Sequence, residues 1–165
     1  MSFIGNQNIY NELIATATRG DLAHAVLFVG PDGIGKRTLA KEIAAQLLGC
    51  TTLKLETKPD FHYFAPDDDG LTVEKMRGVR EQITSYAFAG GAKVVMIDGV
   101  DTLAGSAANV LLKVLEEPTA KTFFFLCAES YHAVLPTIRS RCVTHHLNPV
   151  SEEFLPFQET TKRRR

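Results

Sequence analysis

Nine residues constrain this chain more than any others: Gly30-Pro31-Asp32-Gly33-Ile34-Gly35-Lys36-Arg37-Thr38. They follow the apolar run Ala25-Val26-Leu27-Phe28-Val29 and open a segment, Lys36 to Leu48, with Leu39, Ile43 and Leu47 at i, i+4 and i+8. The run reads as a parallel strand buried on both faces. The segment reads as an amphipathic helix, stopped by Gly49. A glycine-rich loop between a buried strand and a helix N-terminus is the setting of the phosphate-loop pattern GxxxxGK(S/T). Its glycines let backbone N–H groups turn inward on phosphate oxygens, and the helix start adds partial positive charge. Lys36 is placed to reach the outer phosphates. Gly30, Gly33, Gly35 and Lys36 are therefore candidate nucleotide-binding residues, with Arg37 and Thr38 beside them. A plain strand-to-helix turn needs neither three glycines nor a lysine at that offset.

One position departs from the pattern. The residue after the lysine should carry a hydroxyl that holds magnesium, but it is Arg37. Thr38 lies ~100° further round the helix and cannot simply stand in. A cation at the metal position also competes with magnesium. A second strand-like run, Val94-Val95-Met96-Ile97, ends at Asp98, as in a Walker B segment whose Asp helps to hold the metal. A helix cap or loop acid is the other role open to Asp98. The residue after it is Gly99, and Asp101 is too far along to be taken as a replacement carboxylate.

The rest of the chain alternates strands and helices. Residues 7–18 read as a helix with Ile9, Leu13 and Ala17 on one stripe. Asp60 to Ala65 is strand-like up to Pro66, Asp67 to Gly70 is a turn, and Val73 to Ala87 is a helix. After the strand Lys93 to Ile97 come a helix from Ser106 to Glu117, ended by Pro118, and a strand from Thr122 to Cys127. A short helix over Leu135 to Ser140 and a strand-like segment over Cys142 to Leu147 complete the pattern. Such alternation implies an α/β domain with a mostly parallel sheet. The chain of 165 residues suits one domain. A net charge of −1 excludes a global basic field for nucleic acid, so any contact with DNA must come from a partner or a local patch. The terminal run Lys162 to Arg165 reads as a solvated tail. Cys50, Cys127 and Cys142 are widely spaced, which argues against a disulfide framework and against a four-ligand zinc site. The N-terminus lacks the pattern of a signal peptide, and no apolar run approaches the ~20 residues of a membrane span. A cytoplasmic, membrane-free protein is expected.

Several further segments complete a set: Ile4-Gly5-Asn6, His24-Ala25, Asn109-Val110-Leu111-Leu112-Lys113, Leu115-Glu116-Glu117-Pro118, and Leu135-Pro136-Thr137-Ile138-Arg139-Ser140-Arg141-Cys142. With the phosphate loop, they resemble the bacterial clamp-loader ATPase subunits over about Phe3 to Pro149. The combination of LLKxLEEP with a downstream SRC is highly specific to that family. The resemblance implies a three-layer P-loop domain of the AAA+ type over 1–150. It leaves 151–165 as a polar, basic tail, with lid and collar domains absent. It implies other clamp-loader subunits as partners, with the sliding clamp and primed DNA reached through the assembly. It assigns Arg141 the role of an arginine finger acting on nucleotide bound by a neighbour; a structural ion pair is the other role open to it.

Three departures favour the delta-prime type within the family over the hydrolysing gamma/tau type. Arg37 replaces the hydroxyl residue. Gly99 stands where active members usually carry a glutamate that orients water. Cys127-Ala128-Glu129-Ser130 lacks the threonine that commonly serves as a nucleotide sensor. The expectation is a degenerate site with weak ATP or ADP binding, magnesium short of one ligand, and no zinc. An active gamma/tau-like ATPase and a nucleotide-free interaction module remain the alternatives.

Overall fold

The computed structural model describes residues 6–84, 91–119 and 121–149. Five strands form one sheet: β1 (Ala25–Val29), β2 (Phe61–Phe64), β3 (Lys93–Asp98), β4 (Thr122–Ala128) and β5 (Val143–His146). Their order is β2-β3-β4-β1-β5, and every pairing is parallel. Parallel neighbours cannot be joined by tight hairpins, so crossovers carry the chain back along the sheet. These contain α1 (Gln7–Arg19), α2 (Lys36–Leu47), α3 (Thr52–Leu55), α4 (Val73–Thr84), α5 (Gly105–Glu116) and α6 (Pro136–Arg139), where α1 leads into β1.

The central strands are apolar on both faces because each face meets a helical layer. Successive side chains of a strand point to opposite faces. Leu27, Val95, Ile97, Phe124 and Leu126 thus join one core with Met76 and Val79 of α4 and Leu111 and Leu115 of α5. Val26, Phe28, Val94, Met96 and Phe125 join the other with Leu13 of α1, Leu39 and Ile43 of α2, and Leu55 of α3. Phe28 and Phe125 meet edge-to-face with ring centroids 6.0 Å apart, a geometry the aromatic quadrupole favours. Burying each such side chain contributes about 1.5–3 kcal/mol. The three-layer α/β architecture is therefore the one the sequence implies.

Lys93 is a charged residue within this interior, only 3% exposed. Its Nζ donates to the Gln82 carbonyl at 2.5 Å, in the last turn of α4. The negative end of that helix favours a cation there.

Element limits fall mostly within a residue of the sequence reading, as expected where helix and strand ends fray. Helix α4 runs to Thr84, and the remainder of its expected span, 85–87, lies outside the described residues, as does the tail 151–165. Helix α3 and a 3-10 turn over Val100–Thr102 were not anticipated.

The end of β5 is held at two points. Leu147 N–H donates to the Val29 carbonyl at 2.8 Å. Asn6 and Asn148 exchange two hydrogen bonds: Asn6 Nδ2 donates to the Asn148 carbonyl at 3.0 Å, and Asn148 N–H donates to Asn6 Oδ1 at 2.9 Å. Among the described residues no helix is long and apolar enough to cross a membrane.

Candidate nucleotide site

A cleft of about 400 Å³ opens beyond the carboxyl ends of β1, β3 and β4. Open parallel sheets bind ligands at this edge, where the strand order reverses, and β1 lies between β4 and β5 at such a point. One wall is the loop from β1 into α2, supplying Gly33, Gly35, Lys36, Arg37 and Thr38. The facing wall is the end of β3 with Asp98, Gly99 and Asp101. Gly33 and Gly35 take positive φ, +77° and +98°. The space where a Cβ of Gly33 would stand is open, as a backbone cradle for phosphate requires. Gly30 lies beneath the cradle, and a Cβ there would come within 3.0 Å of the Leu147 carbonyl oxygen. Glycine at position 30 is thus demanded by the approach of β5.

Lys36 is folded into its own loop. Its Nζ donates to the carbonyls of Gly30 and Pro31 at 2.6 and 2.8 Å, and the residue is 6% exposed. A phosphate entering the cradle competes with these two carbonyls for the ammonium. Arg37 turns across the cleft, with Nε 3.7 Å from Asp98 Oδ2. Tyr63 Oη stands 3.5 Å from the same oxygen, at the outer limit of a hydrogen bond. Tyr63 first, and Asp98 after it, hold the Arg37 guanidinium above its ordinary pKa. The second Asp98 oxygen accepts the Gly99 N–H at 3.0 Å. Asp101 is also engaged, since its Oδ2 accepts the N–H groups of Glu129 and Ser130, both at 3.2 Å. It ties the end of β3 to the end of β4 and is not an unengaged carboxylate.

These residues suit a phosphate but not magnesium. A guanidinium faces Asp98, Thr38 is exposed on the helix, and Asp101 serves two amides. Gly99 closes a further route. Its φ is +72°, and a Cβ there would meet Pro66 Cγ at 3.1 Å and Cδ at 3.3 Å. The position lacks a carboxylate, and its backbone also disfavours one. The thiols of Cys127 and Cys142 are both pushed up to about 12 by burial; they stay protonated and unreactive near neutral pH.

Of the candidate residues, the cleft gathers Gly33, Gly35, Lys36, Arg37, Thr38 and Asp98, with Gly30 below them. Arg141 is not in its lining. It sits after α6, half-buried, with Nη1 donating to the Thr137 carbonyl at 2.7 Å and to Ser140 Oγ at 3.3 Å. Its Nη2 pairs with Glu116 at the end of α5. Sequence reasoning missed Tyr63, Pro66 and Glu116. The first two carry no sequence signal, since it is the pairing of β2 with β3 in the sheet that places Tyr63 level with Met96 and brings the end of β2 to the cleft.

A family model described as "DNA polymerase III, delta subunit" matches residues 5–151. The chain belongs to the DNA polymerase III delta-subunit family. It is 35% identical over 161 residues to DNA polymerase III subunit delta' of Escherichia coli, covering 88% of this chain and 48% of that one. It is 38% identical over 141 residues to the Pseudomonas aeruginosa subunit delta', covering 76% and 43%. The chain thus spans about half the length of the relatives it matches. Among solved structures it resembles a gamma subunit-related DNA polymerase III protein of Thermotoga maritima, with a TM-score of 0.74 and 22% identity over 88% of this chain and 47% of that one. It also resembles a RuvB variant of the same organism, with a TM-score of 0.62 and 23% identity over 88% and 46%. These two likenesses bear out the three-layer α/β fold with its parallel sheet.

Proposed function

We propose that this chain is the P-loop domain of a clamp-loader subunit that does not hydrolyse ATP and that supplies Arg141 to nucleotide held by a neighbouring subunit. Its place is in loading the sliding clamp on primed DNA, through partners that are the other clamp-loader subunits. The observation that carries the reading is the Arg37–Asp98 contact across the cleft. A cation stands where the metal would sit, beside a glycine whose backbone disfavours the water-orienting glutamate. Phosphoryl transfer in such sites rests on positioning and electrostatics, so both losses act on the same step. The backbone cradle of Gly33 to Lys36 does not depend on a metal and supports weak, magnesium-independent binding of ATP or ADP.

Arg141 suits the trans role because a planar, permanently charged fork stabilises charge on a transferring phosphoryl group. The test is steady-state ATP turnover, by the chain alone and assembled with a hydrolysing clamp-loader subunit. The chain alone is expected to show none above background. Arg141→Ala and Arg141→Lys are both expected to lower turnover by the assembly, by ~10³ for the alanine variant. Turnover by the isolated chain that disappears with Lys36→Ala, or full activity of the Arg141→Ala assembly, would overturn the reading.

A further inference from the structure

We propose that Glu116 is a positioning residue for Arg141, holding its guanidinium in one orientation so that its remaining N–H groups face a phosphate on the neighbouring subunit. This rests on the finger reading given above.

Glu116 is the last residue of α5. A carboxylate in the last turn of a helix meets the negative end of the helix dipole and is disfavoured there on its own. The Arg141 guanidinium supplies the compensating cation. From its other side the same guanidinium is held by α6 and the turn after it, through the Thr137 carbonyl and Ser140 Oγ. Two elements separated by β4 therefore fix one side chain. A guanidinium has five N–H donors. These contacts occupy both N–H groups of Nη1 and one of Nη2, so Nε–H and the other Nη2–H have no partner among the described residues. The fork is anchored but still able to donate.

The exposure of the pair points to the same role. The Arg141 side chain is 32% exposed and that of Glu116 48%. Ion pairs this open contribute little to stability, which makes fold stabilisation a poor account of the contact. Fixing a long arginine side chain costs rotamer entropy, and the Glu116 anchor meets that cost before docking. Catalysis gains from groups already held in the reacting geometry.

The test has two arms. In the isolated chain, NMR of the arginine guanidinium groups reads rotation about the Nε–Cζ bond of Arg141. Slow rotation with separate Nη signals is expected in the wild type, and averaging in Glu116→Ala with an unchanged thermal midpoint. In the assembly with a hydrolysing clamp-loader subunit, Glu116→Ala is expected to lower kcat between tenfold and about a hundredfold. KM for ATP should stay unchanged, because the finger acts on the transition state. Glu116→Gln, whose amide oxygen still accepts from Nη2, should recover most of kcat. The proposal is overturned if rotation is equally fast in wild type and Glu116→Ala. It is also overturned if Glu116→Ala keeps or raises kcat while Arg141→Ala loses it. If Arg141→Ala itself keeps full kcat, the finger reading fails, and the NMR arm still reports on the anchor.

Discussion

Restoring the missing glutamate at position 99 should damage the protein without creating an ATPase. Gly99 takes φ +72°, and an L-residue held in the left-handed region costs about 1–2 kcal/mol. A Cβ at 3.1 Å from Pro66 Cγ must push the ring back by a few tenths of an ångström. Pro66 lies in an exposed loop and can give, so about 1 kcal/mol, the low end of overpacking costs, is added. The sum of about 2–3 kcal/mol corresponds to a fall in Tm of roughly 4–12 °C for a domain of this size. Circular dichroism melts of Gly99→Glu, Gly99→Ala and Gly99→Asn measure it. Asparagine tolerates the left-handed region but keeps the Cβ, so the gap between Asn and Ala reads the backbone cost and the remainder reads the Pro66 contact. Adding Pro66→Ala to Gly99→Glu should recover only the steric share. If Gly99→Glu melts within about 1 °C of the wild type, well inside the expected shift, the reasoning about position 99 is wrong.

Arg37→Thr should free Asp98 from its guanidinium and make ATP binding respond to magnesium, whereas the wild type should bind equally weakly with and without it; tight, magnesium-dependent binding by the wild type in calorimetry would refute the reading of Arg37. Leu111→Ala, in α5 at 0% exposure against β3 and β4, should cost about 2–5 kcal/mol in denaturant melts. Burial is the first cause lowering the pKa of both His62 and His145 from 6.5. The folded state therefore favours neutral imidazoles, the unfolded chain binds more protons, and stability should fall as pH drops through 6.5 toward the lowered values. His145→Phe, which can keep the stack on Phe28, should flatten that slope in melts taken between pH 7 and pH 5.

The fold was largely legible in the sequence because its signal is local. Apolar runs such as those over 25–29 and 122–127 are long enough to declare a strand buried on both faces. Helix α3 was not legible, since a single turn with only Leu55 buried carries no periodicity. The phosphate loop and Asp98 were legible as motifs, and the sheet brings them to one cleft. The features that decide the chemistry are pairings between distant residues: Gly99 against Pro66, Asp101 on the amides after β4, and Arg141 on Glu116. None has a sequence signature, because each depends on which strands are neighbours. The ion-pair role weighed for Arg141 is present, with a partner that spacing could not have named.

The fastening of β5 has a mechanical consequence. A chain continuing past Pro149 sets out just after Asn148, which Asn6 grips through two hydrogen bonds, one residue beyond the Leu147 amide bonded to Val29. Leu147 also stands close against Gly30, the first residue of the phosphate loop, its carbonyl oxygen 3.0 Å from where a Cβ there would be. Only this short stretch of backbone separates the exit from the base of the cradle. A load on whatever follows Pro149 would therefore be felt first at the base of the phosphate loop.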